Sequence, residues 1–254
     1  VSAGGPCASP VAAGLPPLRA PLFRRPEFRA VAGDTLRPGG LFLTGRGLDA
    51  AGFSPGDRVA DVGCGPGASL DFLRRRGLGA MGFEADPGYA AEASFRAAGG
   101  VAVARAEALP LPDGSLDGVL CECALSVFAN PHAALAEMAR TLVPGGRLVV
   151  ADLYRTDGEG GEDGDAVADG SCAAGAVGRE AVLARFARAG LAPRLFEDHS
   201  RLVAELAGRL VFAGFDAAEA GAILAGRAGG CACRPGGVRP RLGYYLCIAV
   251  KEGI

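Results

Sequence analysis

From Arg58 onward the chain alternates short β-branched or apolar runs with longer amphipathic stretches. The runs Val59–Val62, Ala80–Phe83, Val101–Ala104, Gly118–Cys121, Arg147–Ala151, Arg194–Glu197 and Tyr244–Val250 predict strands. Between them, Ala68–Arg76, Gly88–Ala98, Pro131–Leu142, Arg179–Ala189 and Arg201–Phe212 predict helices. Strand alternating with helix predicts a mostly parallel sheet covered on both faces, an α/β doubly wound fold. The punctuation agrees. Asn130 before Pro131 suits a helix N-terminus, and Gly77 and Gly190 stand where helices should stop. Upstream, residues 1–32 are rich in Pro, Ala and Gly without periodicity and predict a flexible N-terminal arm. Residues 33–53 predict a turn and a short amphipathic helix, with Leu41, Leu43 and Leu48 available for packing and a place in a lid open to it. The domain proper is expected over 33–254. It is interrupted at 157–170, where six acids and five glycines in 14 residues predict a mobile acidic loop.

Composition narrows the function classes. Among 254 residues, half are hydrophobic and about a fifth charged, and the length suffices for a large core. The 41 glycines follow no G-X-Y period, which excludes a collagen. Lys plus Arg number 26 against 28 acids, so no basic excess points to nucleic acid. No apolar run has the length of a membrane span, and the N-terminus lacks a basic segment followed by a continuous apolar stretch. The expected compartment is therefore the cytoplasm, without membrane or nucleic-acid partners. In a reducing compartment the eight cysteines are core residues, metal ligands or reactive thiols, not disulfides.

The densest candidate chemistry is Asp61-Val62-Gly63-Cys64-Gly65-Pro66-Gly67, a strand end and a glycine-rich turn before a predicted helix. Glycine permits positive φ and close approach of backbone to a ligand, and the helix start offers free N–H groups. In a doubly wound sheet this edge binds nucleotide-like ligands. The turn is not the dinucleotide fingerprint, because the third glycine of G-x-G-x-x-G is missing, which disfavours a nicotinamide enzyme. Glu84, with Ala85 after it, ends the second predicted strand, where a carboxylate can accept bonds from both hydroxyls of a ribose.

The ordered set DVGCGPG, GFEADP, EALPLPDGSLD and LVPGGRLVVADL, from Arg58 to Asp152, resembles the class I S-adenosylmethionine-dependent methyltransferases. The resemblance implies a Rossmann-like seven-stranded sheet with an antiparallel last strand. It implies that Gly63, Cys64, Gly65 and Gly67 form the cofactor turn, supported by Asp61, and that Glu84 and Ala85 meet the ribose. Ala106 and Glu107 would lie by the adenine of S-adenosyl-L-methionine, and Cys121 and Glu122 by its methionine end. The family often has an acid where this chain has Arg105, so Glu107 or packing alone would hold the adenine.

The acceptor must be read from what surrounds the sulfonium. A second, narrower resemblance, of Cys123-Ala-Leu-Ser-Val-Phe and Gly170-Ser-Cys172-Ala-Ala-Gly175, is to arsenite methyltransferases. It implies a small acceptor such as thiol-bound arsenite, with Cys123 and Cys172 in the site. The pair Cys231 and Cys233, in a Gly-rich stretch, is a candidate ligand set for a soft metal or metalloid. Tyr154, after the fifth predicted strand, and His199, after the sixth, are candidates to close over or orient the acceptor. The alternatives are a small-molecule C- or O-methyltransferase of the quinone type and a non-catalytic adenosyl- or metal-binding accessory protein. Cys64 and Cys247 also lie in runs suited to a core.

Overall fold

The computed structural model describes residues 25–157, 175–216 and 241–253. The apolar runs become seven strands: β1 (Arg58–Val62), β2 (Gly79–Glu84), β3 (Val101–Val103), β4 (Leu116–Glu122), β5 (Leu142–Arg155), β6 (Leu191–Asp198) and β7 (Leu242–Lys251). They join in the order β3-β2-β1-β4-β5-β7-β6. Strands β1 to β5 pair in parallel. Strand β7 runs antiparallel between β5 and β6. The expected seven-stranded, mostly parallel sheet with an antiparallel last strand is therefore present.

Both faces are buried, which is why the central strands read as continuous apolar runs. Side chains alternate across the sheet. Val119 and Cys121 of β4 join a cluster with Leu135, Met138 and Phe186 on one face. Leu120 joins Leu43, Val59, Val149 and Leu246 on the other. The covering helices are α1 (Pro26–Ala32), α2 (Gly40–Ala51), α3 (Ala68–Arg75), α4 (Pro87–Arg96), α5 (Pro131–Thr141), α6 (Arg179–Arg188) and α7 (Arg201–Phe212). Asn130 caps α5 by accepting from the Ala133 N–H at 2.9 Å. Asp86 caps α4 through Tyr89 N–H at 3.0 Å.

Two segments depart from the sequence expectation. Strand β5 begins at Leu142, not Arg147, because Leu142 pairs with Leu116 ahead of a bulge. The stretch assigned to a flexible arm holds α1, which starts on Pro26 and buries Phe28 and Ala32 against Leu206, Leu210 and Phe215. Burying one such aromatic stabilises by about 2–3 kcal/mol. Leu43 and Leu48 of α2 are buried as expected, whereas Leu41 is exposed. The acidic segment lies outside the described residues beyond Asp157.

Candidate active site

The C-terminal ends of β1, β2 and β4 meet beneath a cleft of about 480 Å³. The turn after β1 folds because its glycines reach backbone space closed to other residues. Gly63 has φ +75°, and a Cβ there would lie 2.6 Å from the Ala124 Cβ. Gly67, at φ +83°, shapes the turn from behind: a Cβ there would lie 2.8 Å from the Ala93 Cα, so it lets α3 close on α4. The Glu84 carboxylate, at the end of β2, accepts from Gly65 N–H at 2.9 Å and from Asp86 N–H at 2.8 Å. These bonds fix it beside the glycine turn. Beyond β3, Ala104, Arg105, Ala106 and Glu107 form the next wall. Glu107 accepts from Arg105 Nη2 and from Asn130 N–H, both at 3.2 Å, tying that wall to the start of α5. Beyond β4, Cys123 takes a left-handed φ of +53° and donates its N–H to the Ala151 carbonyl at 2.6 Å. The chain then turns so that Ala124, Val127, Phe128 and Ala129 complete the cleft.

A strap between α1 and α2 covers one end, contributing Asp34, Thr35, Leu36 and Arg37. Ion pairs clasp it to α4. Arg29 bridges Asp34 at 2.6 Å and Glu92, and Arg96 bridges Asp34 at 2.8 Å. Arg96 also donates to the Pro66 carbonyl of the glycine turn at 3.0 Å. Arg37 itself is 2% exposed. Its Nη2 donates to Glu122 Oε2, which also accepts from Ser69 Oγ at 2.9 Å and Thr44 Oγ1 at 3.2 Å.

The electrostatics are lopsided. Among the cleft-lining residues six are carboxylates (Asp34, Asp61, Glu84, Asp86, Glu107, Glu122) and two are guanidiniums (Arg37, Arg105). Asp61 is pushed up to about 8, by burial first and by the Glu122 charge second, with Arg37 opposing both. Burial presses the Arg37 pKa down, but the facing carboxylate of Glu122 and its other neighbours outweigh it, so the pKa rises. Four buried polar atoms here have no partner among the described residues: Arg37 Nε and Nη1, Asp61 Oδ2 and Glu122 Oε1. Buried polar atoms are almost always paired in a folded protein, so unpaired ones facing a cleft mark where a ligand belongs.

Comparison with known proteins matches the part of the chain that forms most of this cleft. Residues 60–150 match the methyltransferase domain family. A demethylmenaquinone methyltransferase of Beutenbergia cavernae is 40% identical over 107 residues, covering 42% of this chain and 45% of that protein. Its counterpart from Renibacterium salmoninarum is 38% identical over 107 residues, with the same coverage. Residues 60–150 of this chain carry a methyltransferase domain. The chain spans less than half the length of these relatives. Solved structures share the fold across most of the chain. The [4+2]-cyclase SpnF is 24% identical with a TM-score of 0.66, covering 83% of this chain and 81% of its own. A geranyl diphosphate C-methyltransferase from Streptomyces coelicolor, solved with S-adenosyl-L-homocysteine, is 18% identical with a TM-score of 0.66, covering 83% and 77%.

In the methyltransferase cleft the structure brings together Asp61, Gly63, Cys64, Gly65, Glu84, Ala85, Ala106, Glu107, Glu122 and Cys123. Cys121 does not join them. Adjacent strand residues face opposite ways, so Glu122 enters the cleft while Cys121 is fully buried in the core beneath α5, where burial raises its thiol pKa. Tyr154 and His199 are likewise not among the cleft-lining residues. The Tyr154 ring packs edge-on against Phe196 at 5.6 Å and Tyr245 at 5.9 Å, and its hydroxyl meets Ser200 and Asp198. His199 Nε2 lies 2.9 Å from Glu197 Oε2, a carboxylate also held by Arg46 of α2. Cys172, Cys231 and Cys233 lie outside the described residues. Among the described residues no group of three or more His, Cys, Asp or Glu could hold a metal.

Sequence reasoning missed Arg37, Thr44, Ser69 and Phe128. Nothing in the local pattern marks Arg37 and Thr44, which tertiary packing brings to Glu122 from the strap and from α2, whereas Ser69 and Phe128 follow directly on the glycine turn and on the segment after β4. The one available signal was Glu122: a carboxylate in an apolar strand needs a cationic partner from elsewhere in the chain.

Proposed function

We propose that this chain transfers the methyl group of S-adenosyl-L-methionine to a small organic acceptor, with a quinone-type ring as the leading class. The observation that carries the cofactor half is the cleft itself. A fixed Glu84 carboxylate stands beside a glycine turn, and two buried carboxylate oxygens, on Asp61 and Glu122, lack partners. That set fits an adenosyl compound bearing cationic groups at its far end. The names of the demethylmenaquinone methyltransferase relatives support the acceptor class.

When bound, the cofactor supplies an electrophilic methyl on a sulfonium, which leaves as a neutral thioether as the methyl joins the acceptor. The chain's own work is to bind and align, since an in-line displacement gains mostly from orientation. Glu84, held still by two backbone N–H groups, would accept from a ribose diol. Ala106 and Glu107 frame the adenine end. Phe128, Val127 and Leu36 give the cleft apolar cover that limits water.

The test is S-adenosyl-L-homocysteine formation by mass spectrometry, offering either a demethylated quinone analogue reduced to its nucleophilic hydroquinone or arsenite with glutathione. Turnover with the quinone and none dependent on arsenite is expected. Turnover that requires arsenite and disappears in Cys172→Ser would overturn the acceptor class and restore a thiol-bound metalloid. Tight cofactor binding without turnover on either acceptor would favour a non-catalytic adenosyl-binding role.

A further inference from the structure

The strap between α1 and α2 is fastened by two anchors, and a loosely covered piece lies between them. On one side α1 is held on α7 through Phe28 and Ala32. On the other, Arg37 and Pro38 are buried, and the Arg37–Glu122 ion pair lies out of reach of solvent. In between, Gly33 is exposed and Asp34, Thr35 and Leu36 are half-buried. The last three line the cleft, and of them only Leu36 packs against the apolar cluster of α1 and α7.

Charge holds this piece shut. Asp34 Oδ1 accepts from Arg29 Nε at 2.9 Å and Nη2 at 2.6 Å, and Oδ2 accepts from Arg96 Nη2 at 2.8 Å. Glu92 pairs with Arg29 and lies 3.7 Å from Arg96. Arg96 Nε donates to the Pro66 carbonyl, so the network ends on the glycine turn. Its four side chains are 30–42% exposed, where dissolved salt screens them. The Asp34 carboxyl is held below its ordinary 3.8, first by the Arg29 bonds. It is therefore charged throughout the neutral range, and salt rather than acid loosens it. The backbone is set to move at the same place. Gly33 has φ +74°, and a Cβ there would meet nothing within 4 Å, which makes it an open hinge. Leu36 sits at φ +56°, a left-handed conformation unfavourable to an L-residue, which opening relieves.

We propose that residues 33–36 are a gate to the cleft, latched by Asp34 between Arg29 and Arg96, through which an adenosyl ligand enters and leaves at a rate set by ionic strength. Arg37 stays on Glu122 while the gate swings about Gly33. The choice of ligand rests on the adenosyl-binding reading above; the latch does not.

The test follows the association and release of radiolabelled S-adenosyl-L-homocysteine on the full chain. That ligand has no net charge at neutral pH, so salt acts on the latch and not on the encounter. A gate changes both rates together, whereas a binding contact changes Kd. In the wild type both rates should quicken about 3- to 10-fold between about 20 mM and 500 mM sodium chloride, with Kd held within about twofold, as a partly exposed ion-pair network allows. Arg29 is not among the cleft-lining residues, so its variants leave the wall intact. Arg29→Gln should quicken both rates by a similar factor at low salt and lose most of the salt dependence. Arg29→Lys should fall between, since it keeps the charge but not the fork. Hydrogen exchange read by mass spectrometry isolates the latch from the ligand. Peptides carrying residues 33–36, where the Gly33 and Leu36 N–H groups are bonded, should exchange faster in salt and in Arg29→Gln, while β1 and β4 do not change. Wild-type rates and exchange that ignore salt would overturn the gate, even if Arg29→Gln fails to fold. A folded Arg29→Gln that changes release alone, and Kd with it, overturns it too, as does faster exchange throughout the sheet. If S-adenosyl-L-homocysteine does not bind, the adenosyl reading falls, and salt-dependent exchange confined to residues 33–36 still carries the gate.

Discussion

Asp61 offers the most direct pH test of the cleft. Its carboxyl is pushed up to about 8 by burial and then by Glu122 and Glu84, with Arg37 pulling it down. The free protein therefore keeps a proton there at neutral pH. A ligand ammonium placed beside it favours the charged form, so binding expels that proton. Below pH 8 the departing proton opposes binding, and affinity rises with pH until it levels off above about 8. With the bound pKa back near its ordinary 3.8, the rise is about 9-fold between pH 6 and pH 7, and close to one proton leaves per ligand at pH 7. Calorimetry of S-adenosyl-L-homocysteine binding in two buffers of different ionisation enthalpy reads both quantities. Asp61→Asn should flatten the profile and abolish the proton release. Folding carries the opposite sign. A carboxyl whose folded pKa lies above its ordinary 3.8 contributes stability at low pH that is lost as pH rises toward 8. Asp61→Asn should therefore raise the unfolding midpoint of the free protein more at pH 8 than at pH 5. A pH-independent affinity, or proton release that survives in Asp61→Asn, would refute the reasoning.

Three further perturbations follow from the geometry. Gly63→Ala combines a φ of +75° with a Cβ 2.6 Å from Ala124 and should destabilise by about 2–4 kcal/mol in urea unfolding; a loss under about 1 kcal/mol would mean the turn moves freely. Phe28→Ala, which empties the contact between α1 and α7, should lower stability by about 3 kcal/mol, read from the same unfolding curves. Glu84→Gln removes the charge that the Gly65 and Asp86 N–H groups hold. It should weaken S-adenosyl-L-homocysteine and methylthioadenosine alike, by roughly 10-fold, because both present the same ribose; a loss confined to one of them would place the ribose elsewhere.

The parts of the cleft legible in the sequence are those whose physics is local. A glycine turn between strand and helix, and an acid at the end of the next strand, are contiguous patterns, and Gly63, Gly65 and Glu84 stand where those patterns imply. The alternation rule was available for Cys121 and Glu122 as well. Neighbours on a strand cannot both face one cleft, and the carboxylate, which cannot be buried alone, takes the open side. Helix α1 was hidden because about two turns carry little periodicity, and the residues that bury Phe28 lie in α7 and just beyond it. Tyr154 and His199 do stand at strand ends, as their positions suggested. Which way a side chain turns there depends on its partners, and Ser200, Asp198 and Glu197 take both away from the cleft wall.

Arg37 is the instructive omission, because the charge balance of the matched stretch calls for it. Residues 60–150 contribute five of the cleft's six acids, Asp61, Glu84, Asp86, Glu107 and Glu122, and only Arg105 as a cation. Arg105 is spoken for by Glu107 at 3.2 Å, on the wall beyond β3. Glu122 is buried, and an uncompensated charge there would cost several kcal/mol. The compensation comes from a strap that precedes β1, reaches across the cleft and is clasped to α4 by ion pairs. The domain match therefore marks where the adenosyl chemistry sits, but not the smallest unit that can hold it. A chain begun at β1 would keep the glycine turn and Glu84 and leave Glu122 a buried carboxylate with no guanidinium to meet it.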